Sequence, residues 1–126
     1  MDYINCSDVS VLASLSEGGA PPLAVLESGI MKKPLIYTEV GDLESILDEN
    51  SGYKISFEKC RELKNNKKLQ SKQNHEVIYK AMKEAYLDRS NLNAKGKNLY
   101  NIVMNNFTME KFWKSYFNIY KCIIKK

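Results

Sequence analysis

Two acidic residues, Glu17 and Glu27, flank the segment of this sequence best suited to chemistry, S-E-G-G-A-P-P-L-A-V-L-E from Ser16 to Glu27. Gly18 and Gly19 carry no Cβ, so backbone there can approach a ligand closely. A helix starting near Pro22 points its free N–H groups and its positive dipole end at the same turn, which favours an anion such as a diphosphate. Glu17, in the turn, is able to accept hydrogen bonds from sugar hydroxyls. Glu27, one to two turns into the helix, is able to take a vicinal diol such as a ribose in a bidentate, charge-assisted geometry. The plainer alternative stays open on these residues alone: Glu17 as a solvated loop residue and Glu27 as a helix surface charge.

Positioning that turn requires a strand before it and a helix after it, and the apolar pattern supplies both. Val9–Ser14 reads as a buried strand, and Leu23, Leu26 and Ile30 recur at helical spacing up to Lys32-Lys33-Pro34. Leu35–Thr38 reads as a second buried strand and Val40–Asp42 as a turn. Leu43–Leu47 reads as a short helix with Leu43, Ile46 and Leu47 inward, and Tyr53–Phe57 as a third strand. Strand, helix, strand, helix, strand at this spacing predicts an α/β fold with a parallel sheet of about three strands, one edge of it open. Residues 58–95 are charged and helical, with Val77, Met82, Ala85 and Tyr86 on an apolar stripe, and Asn91–Asn93 breaks the pattern. A helix from about Lys95 to Asn105 follows. Thr108 is placed to cap a closing amphipathic helix over 108–125, whose Met109, Phe112, Trp113, Tyr116, Phe117, Tyr120, Ile123 and Ile124 share one face. Ordinary core packing is the first expectation for that face.

Composition narrows the classes further. The 126 residues match one domain and are 44% apolar, enough for a core. The single histidine, His75, argues against a Ser-His-Asp triad or a zinc site. Three separated cysteines, Cys6, Cys60 and Cys122, match no paired metal spacing and suggest a reducing, cytoplasmic compartment. No run approaches the ~18 apolar residues needed to cross a bilayer, and the N-terminus lacks a secretory pattern. Residues 1–57 carry three Lys against nine Asp/Glu, net −6, and residues 58–126 carry sixteen Lys/Arg against six Asp/Glu, net +10. Such polarity can mark an anionic partner. The lysines around Lys111–Lys121 lie off the aromatic stripe, so a nucleic-acid surface is not expected, whereas association with anionic lipid stays open.

The series Ser16-Glu17-Gly18, Leu26-Glu27-Ser28-Gly29, Pro34-Leu35-Ile36, Gly41-Asp42-Leu43-Glu44-Ser45-Ile46 and Ser51-Gly52-Tyr53 resembles, in the same order, the donor-binding half of GT-B fold glycosyltransferases, especially glycosyltransferase family 4. The tail FTMEKFWKSYFNIYKCI is similar to that family's closing aromatic helix. The resemblance implies a Rossmann-like, partial GT-B C-terminal domain spanning 1–126, with donor binding in 1–57. It implies retaining, metal-independent transfer of a sugar from a nucleotide-diphosphate donor, which is a substrate and not a cofactor, to a carbohydrate or lipid-linked acceptor. That places the protein in cell-envelope polysaccharide synthesis at the inner face of the membrane. Glu17 is then the catalytic candidate in contact with the donor sugar, and Glu27 the ribose ligand. Gly18, Gly19 and Ala20 present N–H groups to sugar or phosphate oxygens, and Ser16 lines the pocket.

The sequence departs from the family pattern in three ways. Nine residues separate Glu17 from Glu27 where the family has seven, Asp42 replaces a usual glycine, and the acceptor domain has no counterpart. The chain is therefore expected to be a C-terminal fragment, a truncated gene product or one piece of a split enzyme, inactive alone, the last being completed by an N-terminal GT-B domain in trans. The other expectation is a non-catalytic module that docks on a partner through its aromatic helix, with self-association if that face is exposed.

Overall fold

The computed structural model describes residues 2–14, 17–18, 21–55 and 70–124. Its centre is a parallel sheet in the order β1 (Ser10–Leu12), β2 (Leu35–Thr38), β3 (Gly52–Ile55). The register pairs Val11 with Ile36, and Ile36 in turn with Tyr53. Helix α2 (Leu23–Ile30) connects β1 to β2, and the short α3 (Leu43–Ile46) connects β2 to β3. A helix α1 (Asp2–Cys6), which the sequence pattern did not announce, precedes β1. The α/β, Rossmann-like class expected from the alternation is the fold observed. β2 matches its expected bounds, β1 is shorter than Val9–Ser14, and the expected Phe57 end of β3 lies outside the described residues.

The central strand is buried at all four positions because both of its faces are covered. Leu35 and Tyr37 meet Val25 of α2, Leu43 of α3, and Leu99 and Val103 of helix α5 (Leu92–Asn106). Ile36, with Tyr53 and Ile55, meets Ala81 and Ala85 of helix α4 (Gln70–Leu87). α2 and α3 lie on the same face, as two crossovers of one hand stepping in one direction require. Where α4 does not reach, the second face is open: Val11 of the edge strand β1 is 47% exposed.

α2 and α5 cross at very short range. A Cβ on Gly96 would lie 1.9 Å from the Lys32 carbonyl oxygen, and one on Gly29 would lie 2.5 Å from a Val103 methyl. α2 ends in a double turn in which the Lys32 N–H donates to the Gly29 carbonyl and the Lys33 N–H to the Ser28 carbonyl, both at 2.9 Å. Lys32 occupies the left-handed position of that turn at φ 56°, where glycine is usual. Its ammonium stands 5.0 Å from the centre of the Tyr100 ring of α5.

Two expectations about the helical half need correction. Met82 and Tyr86 were placed on the buried stripe of α4 but are 50% and 68% exposed. The line of α4 that meets the sheet runs through Val77, Ala81 and Ala85, whose short side chains allow close approach. Met82 and Tyr86 sit one residue further round and look over the uncovered end of β1. The expected break at Asn91–Asn93 is a 3-10 turn at Arg89–Asn91, and α5 already starts at Leu92.

The larger correction concerns the closing helix α6 (Met109–Ile124). Thr108 does cap it, accepting from the Lys111 N–H through its hydroxyl at 3.4 Å and from the Phe112 N–H through its carbonyl at 3.0 Å. The aromatic face, however, joins no core: no residue of α6 is buried. The sheet face that carries α2 is already filled by α3 and α5, so α6 has no place in that core.

Candidate functional site

The turn after β1 is held at the carboxyl end of the sheet, where open α/β folds bind ligands. Two contacts hold it. The Thr38 hydroxyl at the end of β2, 2% exposed, donates to the Ser14 carbonyl. Gly41, in the β2–α3 loop at φ +59°, lies beneath Glu17 and Gly18, and a Cβ there would come within 3.0 Å of the Gly18 carbonyl oxygen and 3.3 Å of that of Glu17. Any other residue would both strain that backbone and lift the turn away.

Glu17 is half-buried in this turn, and Gly18 is exposed with open space around it. Ser16, Gly19 and Ala20 lie outside the described residues. The helix behind the turn is capped by Pro22, whose carbonyl accepts from the Val25 N–H at 2.9 Å. Pro21 and Pro22 have no N–H, so the tip of α2 offers the N–H groups of Leu23 and Ala24 to an anion. Glu27 sits in the second turn of α2. With Val25, Ser28 and Gly29 buried, the 100° step per residue puts Glu27 on the side turned from the core, where it is half-buried. Neither carboxylate has an ion-pair or hydrogen-bond partner among the described residues. The fold thus brings the Glu17 turn and the α2 tip to one end of the sheet, with Glu27 on the outer side of α2.

The charge around the turn is acidic. Lys54 of β3 is bound at 2.8 Å to Glu39, which lies just beyond β2, and that hydrogen bond with its charge raises the ammonium pKa. Among the described residues, cations gather instead at the amino end of the strands. There Lys32, Lys33 and Arg89 line a polar hollow of about 140 Å³ with Asp8, which takes Arg89 at 3.4 Å. A diphosphate at the carboxyl edge would therefore rest on backbone donors. A larger groove of about 400 Å³ opens beside the α2 tip, between Pro21 and Leu26 on one wall and Phe112, Tyr116 and Ile119 of α6 on the other. Neither Glu17 nor Glu27 lines these hollows.

Sequence reasoning passed over Thr38 and the supporting role of Gly41. The signal for Thr38 was a lone hydroxyl ending an otherwise apolar strand, LIYT. Tyr37 beside it was also missed. Its side chain is fully buried, its hydroxyl has no hydrogen-bond partner among the described residues, and burial, helped by the negative charge of Asp48, Glu39 and Glu49, pushes the phenol up to about 12. No group of three or more His, Cys, Asp or Glu among the described residues is arranged to hold a metal. No described helix is long and apolar enough to cross a membrane. No protein-family model, no curated protein and no solved structure matches this chain, so its α/β Rossmann-like fold stands on its own topology.

Proposed function

We propose that this chain is the donor-side half of a retaining, metal-independent glycosyl-transfer site, completed by an acceptor-side domain in trans. The observation that carries the reading is the seating of the Glu17–Gly18 turn on Gly41, beside the tip of α2 at the carboxyl end of a parallel sheet. The ordered resemblance to the donor half of GT-B enzymes supports the same reading. Glu17 accepts hydrogen bonds from the donor sugar, and Glu27, without a partner among the described residues, grips the ribose diol. The N–H groups of Gly18, Gly19 and Ala20 meet sugar or phosphate oxygens, Ser16 lines the turn, and the Leu23 and Ala24 N–H groups face the diphosphate. Among the described residues Lys54, at the carboxyl end of β3, is already held by Glu39. Transfer requires donor and acceptor fixed in one closed cleft, so the chain alone binds donor without turning it over.

Calorimetric titration of the chain with UDP-glucose and GDP-mannose tests this reading. At least one donor is expected to bind, and Glu27→Ala to weaken it by roughly 10–100-fold, the loss of charge-assisted hydrogen bonds. Absence of binding to both, or equal affinity of the variant, would refute it. A second reading, a non-catalytic module that docks through α6, is favoured by the exposure of every residue of that helix. Co-expression with a GT-B N-terminal domain separates the two, since only a half-enzyme gains transferase activity from it.

A further inference from the structure

We infer that α6 is an in-plane anchor for an anionic lipid surface. On a helical wheel its large apolar residues fill one continuous arc from Ile119 through Phe112, Tyr116, Tyr120 and Trp113 to Phe117, and the remaining arc holds Lys111, Lys114, Lys121, Ser115, Asn118, Glu110 and Cys122. This combination is that of an interfacial helix: a cationic polar face, aromatic residues opposite, and too many charges to cross the bilayer. The structure adds two facts. The arc divides at Tyr116, which lines both sides: Phe112 and Ile119 turn toward the groove beside Pro21 and Leu26, while Trp113, Phe117 and Tyr120 form an apolar hollow on the far side that no other described element lines. Two lysines border that outward side, Lys114 lining the hollow itself and the Lys121 ammonium standing 4.5 Å from the centre of the Phe117 ring, while Lys111 lines the inner groove.

Charge decides the occupant. Across 108–126 the sequence carries five Lys against one Glu, net +4. A second copy of the helix laid against the outward side would bring lysine borders together, whereas a leaflet rich in anionic headgroups attracts each of them. Trp and Tyr rings with a polar handle suit the headgroup boundary, and the lysine stems can lie along it with their charges in water.

Trp113 is the only tryptophan of the chain, so its fluorescence reports on this face alone. The full chain is titrated with vesicles of phosphatidylcholine and of phosphatidylcholine with phosphatidylglycerol at 7:3, with co-sedimentation in parallel. A blue shift and sedimentation are expected with the mixed vesicles and not with phosphatidylcholine alone. Lys114→Gln with Lys121→Gln is expected to lower the partition coefficient about 25-fold, roughly 5-fold per lysine. Neither side chain is buried, and far-UV circular dichroism checks that the variant folds. Three results would overturn the inference: no shift with anionic vesicles, equal binding to both compositions, or unchanged binding of the variant. So would a blue shift that grows with protein concentration without vesicles and accompanies a dimer in the ultracentrifuge, which would assign the face to a second copy.

Discussion

Tyr37→Phe is expected to stabilise the protein. The ring sits at the centre of the sheet, 0% exposed, packed with Leu43 and Leu47 near the β2–α3 connection. Among the described residues its hydroxyl has no hydrogen-bond partner, although water would hydrogen-bond it in the unfolded chain. Burying such a group costs about 1–3 kcal/mol, and removing one oxygen leaves a void worth only a few tenths. A gain of about 1–2 kcal/mol should follow, read as a higher urea midpoint at unchanged slope. The same hydroxyl sets an alkaline limit. In the unfolded chain it ionises near 10.0, and in the fold near 12. Between those values the folded form keeps a proton that the unfolded form releases, so the contribution is whole below pH 10 and is lost as pH rises through 12, up to roughly 3 kcal/mol. Tyr37→Phe should therefore show a shallower loss of stability over that window. Part of the loss remains, because burial and the hydrogen bond to Asp88 also raise the Tyr53 phenol. A variant destabilised by 1 kcal/mol or more, with the alkaline slope unchanged, would show that the hydroxyl is satisfied and the reasoning wrong.

Tyr53→Phe should do the opposite at neutral pH, because its hydroxyl donates to Asp88 at 2.9 Å and ties β3 to the end of α4. Loss of a bond to a charged acceptor gives a destabilisation of about 1.5–3 kcal/mol in urea melts. Gly96→Ala gains about 1 kcal/mol of helix propensity but sets a methyl 1.9 Å from the Lys32 carbonyl oxygen, which is backbone and cannot swing aside. The overlap wins, and a net loss of about 2 kcal/mol or more is expected by thermal unfolding. Thr38→Val keeps shape while leaving the Ser14 carbonyl unpaired, and should cost about 1–2 kcal/mol together with faster amide exchange at Gly18.

Much of the first half was legible because its code is local. A four-residue apolar run such as LIYT between a Lys-Lys-Pro stop and a Val-Gly turn leaves little choice but a buried strand. The Leu43–Ile46 helix follows from the same spacing. The helical half was less legible because periodicity shows which residues share a face and not what covers that face. Met82 and Tyr86 lie within one helical step of Ala81 and Ala85, and only the position of α4 over β2 and β3 decides which pair is buried. On α6 the pattern was read correctly as amphipathic, yet no core lay opposite it. In the candidate site, Glu17 and its turn reached the expected end of the sheet. That Glu27 faces away from the core was not legible, because the Leu23, Leu26 and Ile30 spacing sets it beside that stripe, whereas the buried line of α2 is Val25, Ser28 and Gly29. The support from Gly41 was not visible, because it depends on two loops meeting across 23 intervening positions.

The most direct test of the donor-site reading is a residue-resolved amide shift map of the chain during titration with UDP-glucose or GDP-mannose. The reading predicts that the largest changes fall at Gly18, Leu23, Ala24 and Gly41, at the carboxyl end of the sheet. Changes confined to Lys32, Lys33 and Asn93 around the cationic hollow at the opposite end, or no saturable change with either donor, would contradict it.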